Sequence, residues 1–242
     1  MKKFISLFVA FAIAFNFICV QVAAEDEAQN TSGIIQCPEA DMTWEFKNGE
    51  LHIFDSQSSP VQPHTMPDFE AEGFNAAPWS HLRQDIETVK VDNYLSIGDY
   101  AFYGCEKLRG INFLPIRERI GKHAFDGCIS FEGDSTGSAP AGALTGYLSV
   151  KKIEEGAFKN CQAIKTLSPG SSVTSIGAGA FENSGIKTVE FKEANSLWNL
   201  GEGAFQNSSE LNKGEFDMPQ SDGKPKQAIK DIVAYTFAGC SS

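Results

Sequence analysis

Apolar positions along this chain recur in a fixed phrase rather than in long periodic runs. The phrase reads Ile97-Gly-Asp-Tyr-Ala-Phe102-Tyr-Gly-Cys105 and returns as Ile120-Gly-Lys-His-Ala-Phe125-Asp-Gly-Cys128. It returns again as Ile153-Glu-Glu-Gly-Ala-Phe158-Lys-Asn-Cys161, Ile176-Gly-Ala-Gly-Ala-Phe181-Glu-Asn-Ser184 and Leu200-Gly-Glu-Gly-Ala-Phe205-Gln-Asn-Ser208. The sixth copy is Ile232-Val-Ala-Tyr-Thr-Phe237-Ala-Gly-Cys240. Successive phenylalanines stand 23, 33, 23, 24 and 32 residues apart. The two long intervals hold extra segments, Glu132–Pro140 and Pro219–Pro225, rich in Gly, Pro, Ser and Asp. Such residues break regular structure, so both read as surface excursions.

A second element lies between the phrases. Ile86-Glu-Thr-Val-Lys-Val91, Leu108-Arg-Gly-Ile-Asn-Phe113 and Ile186-Lys-Thr-Val-Glu-Phe191 share apolar first, fourth and sixth positions, with weaker copies at Ile164–Ser168 and Leu211–Phe216. The last two apolar positions alternate as a strand does. Each repeat therefore predicts one short strand, an extended return and a tight helical turn at Ala-Phe. The expected class is an α/β solenoid. No repeat can close a core alone, so stacking must let the Ile, Phe and Leu side chains of one coil pack on the next. Burying each Phe contributes about 1.5–3 kcal/mol.

The phrase Ile-Gly-x-x-Ala-Phe-x-Gly-Cys, preceded by Leu-x-x-Ile-x-Phe near a 23-residue period, resembles the BspA-like leucine-rich repeats. The resemblance spans about residues 85–242. Met42–Ile53 and Ala77-Pro-Trp79 extend it, since they resemble the segment leading into such arrays. It implies a curved solenoid with a strand-lined face, found in secreted and surface proteins, and for some members adhesion to host or matrix proteins.

Asn48-Gly49 between two alternating runs is a hairpin signal, because both residues tolerate positive φ. Residues 41–84 read as an N-terminal cap with a β-hairpin, Trp44, Trp79 and Leu82 closing the core. Residues 25–40 read as a flexible linker. Ahead of them, Lys2 and Lys3, an apolar run from Phe4 to Val20 and the small residues Val22-Ala23-Ala24 read as a signal peptide cleaved after Ala24. A membrane anchor is the alternative, but the run is short for a span. Residues 85–242 form the array of about six coils. The chain stops in mid-repeat at Cys240-Ser-Ser242, so an oligomer could form through that uncapped end.

Charge and chemistry narrow the function. The formal net charge is −11, and loss of Lys2 and Lys3 takes it to −13. Nucleic acid and anionic lipid are repelled at long range, and after cleavage nothing else reaches membrane-spanning length. Of six cysteines, Cys37, Cys105, Cys128, Cys161 and Cys240 survive cleavage. Four occupy one slot that Ser184 and Ser208 fill elsewhere, which asks for a small buried residue; a Cys105–Cys128 bridge between neighbouring coils is the alternative. His52, His64, His81 and His123 show no ligand spacing, and none neighbours a cysteine. Gly177-Ala-Gly179 and Gly201-Glu-Gly203 lack the third glycine of a phosphate loop. The reading contains no enzyme, metal or cofactor.

A binding face remains. The gaps in Leu-x-x-Ile-x-Phe place Glu87, Arg109, Lys165, Lys187 and Asn212 in one outward column. Thr88, Gly110, Thr166, Thr188 and Lys213 form a second, and Lys90, Asn112, Ser168, Glu190 and Glu215 a third. The first column is basic for an acidic protein. The expected partner is a protein docking on Arg109, Lys165, Lys187, Thr88, Thr166, Thr188, Lys90, Asn112 and Glu190. The alternative is a structural unit of a surface layer with no soluble ligand.

Overall fold

The computed structural model describes residues 20–22, 31–36, 42–55, 64–112, 116–137, 140–145, 150–191, 194, 196–211, 220–221, 224–225, 231–232 and 236–240. The other residues of the expected signal peptide, Cys37 and the Asn212–Phe216 copy lie outside them.

Within these residues the repeats lay down two sets of short strands. The first set carries the Ile-x-x-Val element. Thr88–Val91, Gly110–Ile111, Gly133–Asp134, Ala143–Leu144, Thr166–Leu167 and Thr188–Val189 pair in that order, all parallel. The second set ends on the Ile of the phrase. His64–Thr65, Tyr94–Ile97, Arg119–Ile120, Lys152–Ile153, Ser175–Ile176, Asn199–Leu200 and Asp231–Ile232 form a second parallel sheet. The expected extended return is therefore itself a paired strand. Gly133–Asp134 corrects a further expectation. It lies within Glu132–Pro140, the segment read as a surface excursion, yet forms a rung of the first sheet, and Ala143–Leu144 just beyond it forms another.

No α-helix occurs among the described residues, and the only helical piece is the three-residue 3-10 turn Ser80–Leu82. The expected helical turn at Ala-Phe is a series of tight turns instead. An α-helix spends each N–H on the carbonyl four residues back. Here alternate N–H groups are spent on the neighbouring coil, while those between them, such as Ala124 to Gly121 O and Cys128 to Phe125 O, close tight turns three residues back. Phe102 donates to Ala124 O at 2.8 Å, Phe125 to Ala157 O at 2.9 Å, Phe158 to Ala180 O at 2.7 Å and Phe181 to Ala204 O at 2.8 Å. Residues two places either side of each Phe have positive φ, as in Tyr100 (52°) and Gly104 (70°), or His123 (49°) and Gly127 (80°). Left-handed residues four apart interrupt any right-handed helix.

At the N-terminal end the first sheet continues through Glu50–Asp55, parallel to Thr88–Val91. Met42–Lys47 pairs antiparallel with Glu50–Asp55 across Asn48-Gly49, whose φ values of 51° and 83° suit a tight hairpin turn. Ser32–Gln36 adds antiparallel beyond it, and Val20–Val22 beyond that. The flexible-linker reading of 25–40 thus gives way to a strand over 32–36. Gly33 explains the fit. A Cβ there would lie 2.7 Å from the Trp44 indole nitrogen, so only bare backbone can cross that ring.

The coils share one interior. Rings of Phe102, Phe125, Phe158, Phe181, Phe205 and Phe237 stack with centroids 5.3, 5.2, 5.3, 5.4 and 5.5 Å apart. Trp79 prolongs the column, stacking on Phe102 at 6.0 Å and donating its indole N–H to Ala101 O at 2.7 Å. Trp44 meets Trp79 edge to face at 6.2 Å, and both are fully buried. Leu82, expected to close the core, is only partly buried against it.

Candidate binding surface

The first sheet places its outward residues by backbone ladder. N–H groups of Glu87, Arg109, Glu132, Gly142, Lys165 and Lys187 donate in turn to the carbonyls of Gly49, Glu87, Arg109, Glu132, Gly142 and Lys165, at 2.7–3.0 Å. The column is thus continuous, but it is not basic throughout. Glu132 and Gly142 stand between Arg109 and Lys165, which the sequence reading made neighbours. Arg109 lies between two exposed glutamates, Glu87 and Glu132. Lys165 and Lys187 are adjacent and converge on Glu210, at 3.6 and 2.8 Å. The Lys187 hydrogen bond, with the Lys165 charge, holds the Glu210 carboxyl below its ordinary range. The sequence hid Glu132 because its strand ends on Asp134, where the pattern asks for an apolar residue.

The second column runs in register from Thr88 through Gly110, Gly133 and Ala143 to Thr166 and Thr188. Three small residues separate Thr88 from the adjacent Thr166 and Thr188, so little side-chain bulk stands on this stretch of the sheet. Backbone contact enforces part of that. A Cβ on Gly110 would lie 2.9 Å from Gly133 O.

In the third column Lys90 and Asn112 are already engaged. Asn112 Oδ1 accepts the Val91 N–H at 2.6 Å, and its Nδ2 donates to Val91 O at 3.0 Å. Asn112 therefore ties its coil to the preceding strand and has little left for a ligand. Lys90 Nζ lies 3.2 Å from Asp92, which also meets His52 Nε2 at 2.6 Å. Burial pushes the Asp92 carboxyl up, but the bonds from His52 and Lys90 outweigh it and hold the group low. Glu190 is half-buried at the far end.

The cysteine slot is not reactive chemistry. Cys105, Cys128, Cys161 and Cys240 are free thiols. Cys128 Sγ donates to Phe102 O at 3.1 Å, Cys161 to Phe125 O at 3.2 Å and Cys240 to Phe205 O at 3.1 Å. Ser208 Oγ makes the same bond to Phe181 O at 2.9 Å. The slot thus needs a small donor, which Cys and Ser both supply. Burial pushes the Cys105 thiol up to about 12 and those of Cys128 and Cys161 well above their ordinary value. None is poised as a thiolate nucleophile. Among the described residues, no cluster of three His, Cys, Asp or Glu could hold a metal, and no helix is long and apolar enough to cross a membrane.

The family model for the BspA type leucine rich repeat region matches residues 82–134 and 144–242 in six copies. The chain belongs to the BspA-type leucine-rich repeat family. No curated protein matches it. A leucine-rich repeat protein of Eubacterium ventriosum has a similar fold, with a TM-score of 0.56 and 21% identity over 76% of this chain and 43% of that one. A leucine-rich repeat protein of Bacteroides ovatus gives 0.43 and 23% over 72% and 39%, and a leucine-rich cell surface protein of Faecalibacterium prausnitzii 0.43 and 16% over 75% and 55%. The chain therefore spans less than half the length of the first two. In this BspA-type array the Phe column and the Cys/Ser slot serve packing, which leaves the strand faces to carry chemistry.

Proposed function

We propose that the chain is a secreted or cell-surface protein that binds protein ligands of a host, matrix or cell surface through its first sheet, with no catalytic role. The observation that carries this reading is the unbroken ladder from Glu87 to Lys187. It sets charges of both signs along the first sheet, about 4.8 Å from rung to rung. Such a face selects a partner by charge pattern more than by buried area. Family membership supports the location. Trp44 and Trp79 suit the Met42–Asp55 hairpin to the part of an N-terminal cap.

The test is binding of the chain to solubilised matrix proteins, compared with the triple variant Arg109→Glu, Lys165→Glu and Lys187→Glu. A loss of about tenfold or more in affinity, with Tm unchanged, is expected. Equal affinity in both proteins contradicts the proposal.

A further inference from the structure

Near its N-terminal end the first sheet runs through a strand whose outer neighbour comes from the apolar leader. Ser32–Gln36 pairs on one side with Met42–Lys47 and on the other with Val20–Val22, Ile34 opposite Val22 and Gln36 opposite Val20. An antiparallel strand turns the N–H and C=O groups of successive residues to alternate neighbours. The Thr31 carbonyl accepts the Phe46 N–H at 2.6 Å, so Gly33 and Ile35 also face Met42–Lys47. Ser32, Ile34 and Gln36 therefore turn their backbone groups outward, toward Val20–Val22. Side chains alternate too, between the two faces of the sheet. A Cβ on Gly33 would meet the buried Trp44 ring, so Gly33 faces the core and Ile34 the outer side, where it is 43% exposed.

We propose that in the secreted chain Ser32–Gln36 pairs antiparallel with the same strand of a second copy, about a two-fold axis at Ile34. This rests on the secreted reading above, in which Val20–Val22, ahead of Ala24, leaves with the leader. The edge left behind lacks the devices that keep sheet edges apart. Ser32-Gly-Ile-Ile-Gln36 holds no charge and no proline, and its register against Met42–Glu45 runs without a bulge. A second copy is the occupant because the strand is complementary to itself. About Ile34, Ser32 of each copy stands opposite Gln36 of the other, and Ile34 opposite Ile34. All three outward residues then meet outward residues, and each exposed Ile34 is covered by its own image. Such an isologous pairing closes at two copies. It joins two first sheets edge to edge, so a partner with repeated epitopes meets two binding faces at once. Both copies are acidic, so backbone bonds and Ile34 must hold them against repulsion. Salt, which screens that repulsion, should strengthen the pair.

The test expresses the full chain with its own leader in a secreting bacterium. The released protein is read by N-terminal sequencing and then by sedimentation equilibrium. It should start after Ala24, and its mass should rise with concentration from one chain to two, more readily at high salt. Ile34→Lys sets two cations face to face. Ile34→Pro removes an outward N–H and leaves the bonds to Met42–Lys47 intact. Each should weaken pairing at least about tenfold, with unchanged Tm. Amide hydrogen exchange gives an independent readout. Ile34 and Gln36 should be protected only in the dimer, Gly33 and Ile35 in dimer and monomer alike. A released chain that keeps Val20–Val22 overturns the inference through the leader, and the sequencing step identifies that failure by itself. A correctly cleaved chain that stays monomeric overturns the inference alone and leaves the secreted reading standing. So does a dimer that both variants leave unchanged. Protection of Ile34 and Gln36 in a monomer assigns the edge to a segment of the same chain, and a heavier species containing another protein assigns it to that protein. Either result overturns the proposal.

Discussion

The Cys/Ser slot shows how a single position is governed by what its neighbour leaves unsatisfied. The sequence made plain that the slot accepts only small residues. It did not show that the Phe carbonyl of an earlier coil points at the slot, because that pairing joins residues such as Cys161 and Phe125, 36 apart. Cys161→Ser should therefore change stability by less than about 1 kcal/mol, whereas Cys161→Val removes the donor and should cost about 1–3 kcal/mol in urea denaturation. The raised thiols also set a pH window. Their neutral form is favoured by folding, so that contribution is complete below the ordinary thiol value of 9.0 and is lost as pH rises above it, for Cys105 toward about 12. Stability measured from pH 8 to 11 should fall, and a Cys105→Ser, Cys128→Ser, Cys161→Ser variant should fall less. Asp92 acts in the opposite direction. Held low by His52 and Lys90, it stabilises above 3.8 and loses that contribution as pH drops further.

Among the elements, legibility followed length and apolar content. The Ile86–Val91 and Ile186–Phe191 patterns announced their strands because buried and exposed positions alternate. The second sheet was missed because most of its strands are two residues long, too short for a period. Gly133–Asp134 and Ala143–Leu144 were missed because a strand held mainly by backbone pairing needs no apolar signature. The helical turn was over-read. The Ala-Phe core looks helical locally, but every Phe N–H from Phe102 to Phe181 in the phrase finds its partner in the next coil, and that lateral pairing outweighs local propensity. Close coil contact also explains the glycine after the phrase Ile. A Cβ on Gly201 would lie 2.4 Å from Ala178 N, so Gly201→Ala should lower stability by more than about 1 kcal/mol by calorimetry. Asn112→Ala, which strands the Val91 backbone pair, should cost about 1–3 kcal/mol in the same measurement.

At the scale of the molecule, everything placed on either sheet depends on one aromatic column that fixes coil spacing and register. The repeat and its shared interior were legible from the recurring phenylalanines alone. The binding columns were legible only in part. Lys90, Arg109 and Lys187 are exposed along the first sheet, but two further rungs and the Glu210 contacts redistribute the charge. Repeat arrays are stabilised by nearest neighbours, so a defect at the centre should propagate to both ends only if the coils are truly coupled. Phe158→Ala is the decisive variant, because Phe158 sits in mid-column between Phe125 and Phe181. The measurement is thermal unfolding followed by fluorine NMR of labelled tryptophans, with Trp79 reporting the first coil and Trp198 a late one. A single transition, lowered equally at both probes and destabilised by about 3–5 kcal/mol, is the expected result. Unfolding of one end while the other keeps its original midpoint would contradict a single shared interior.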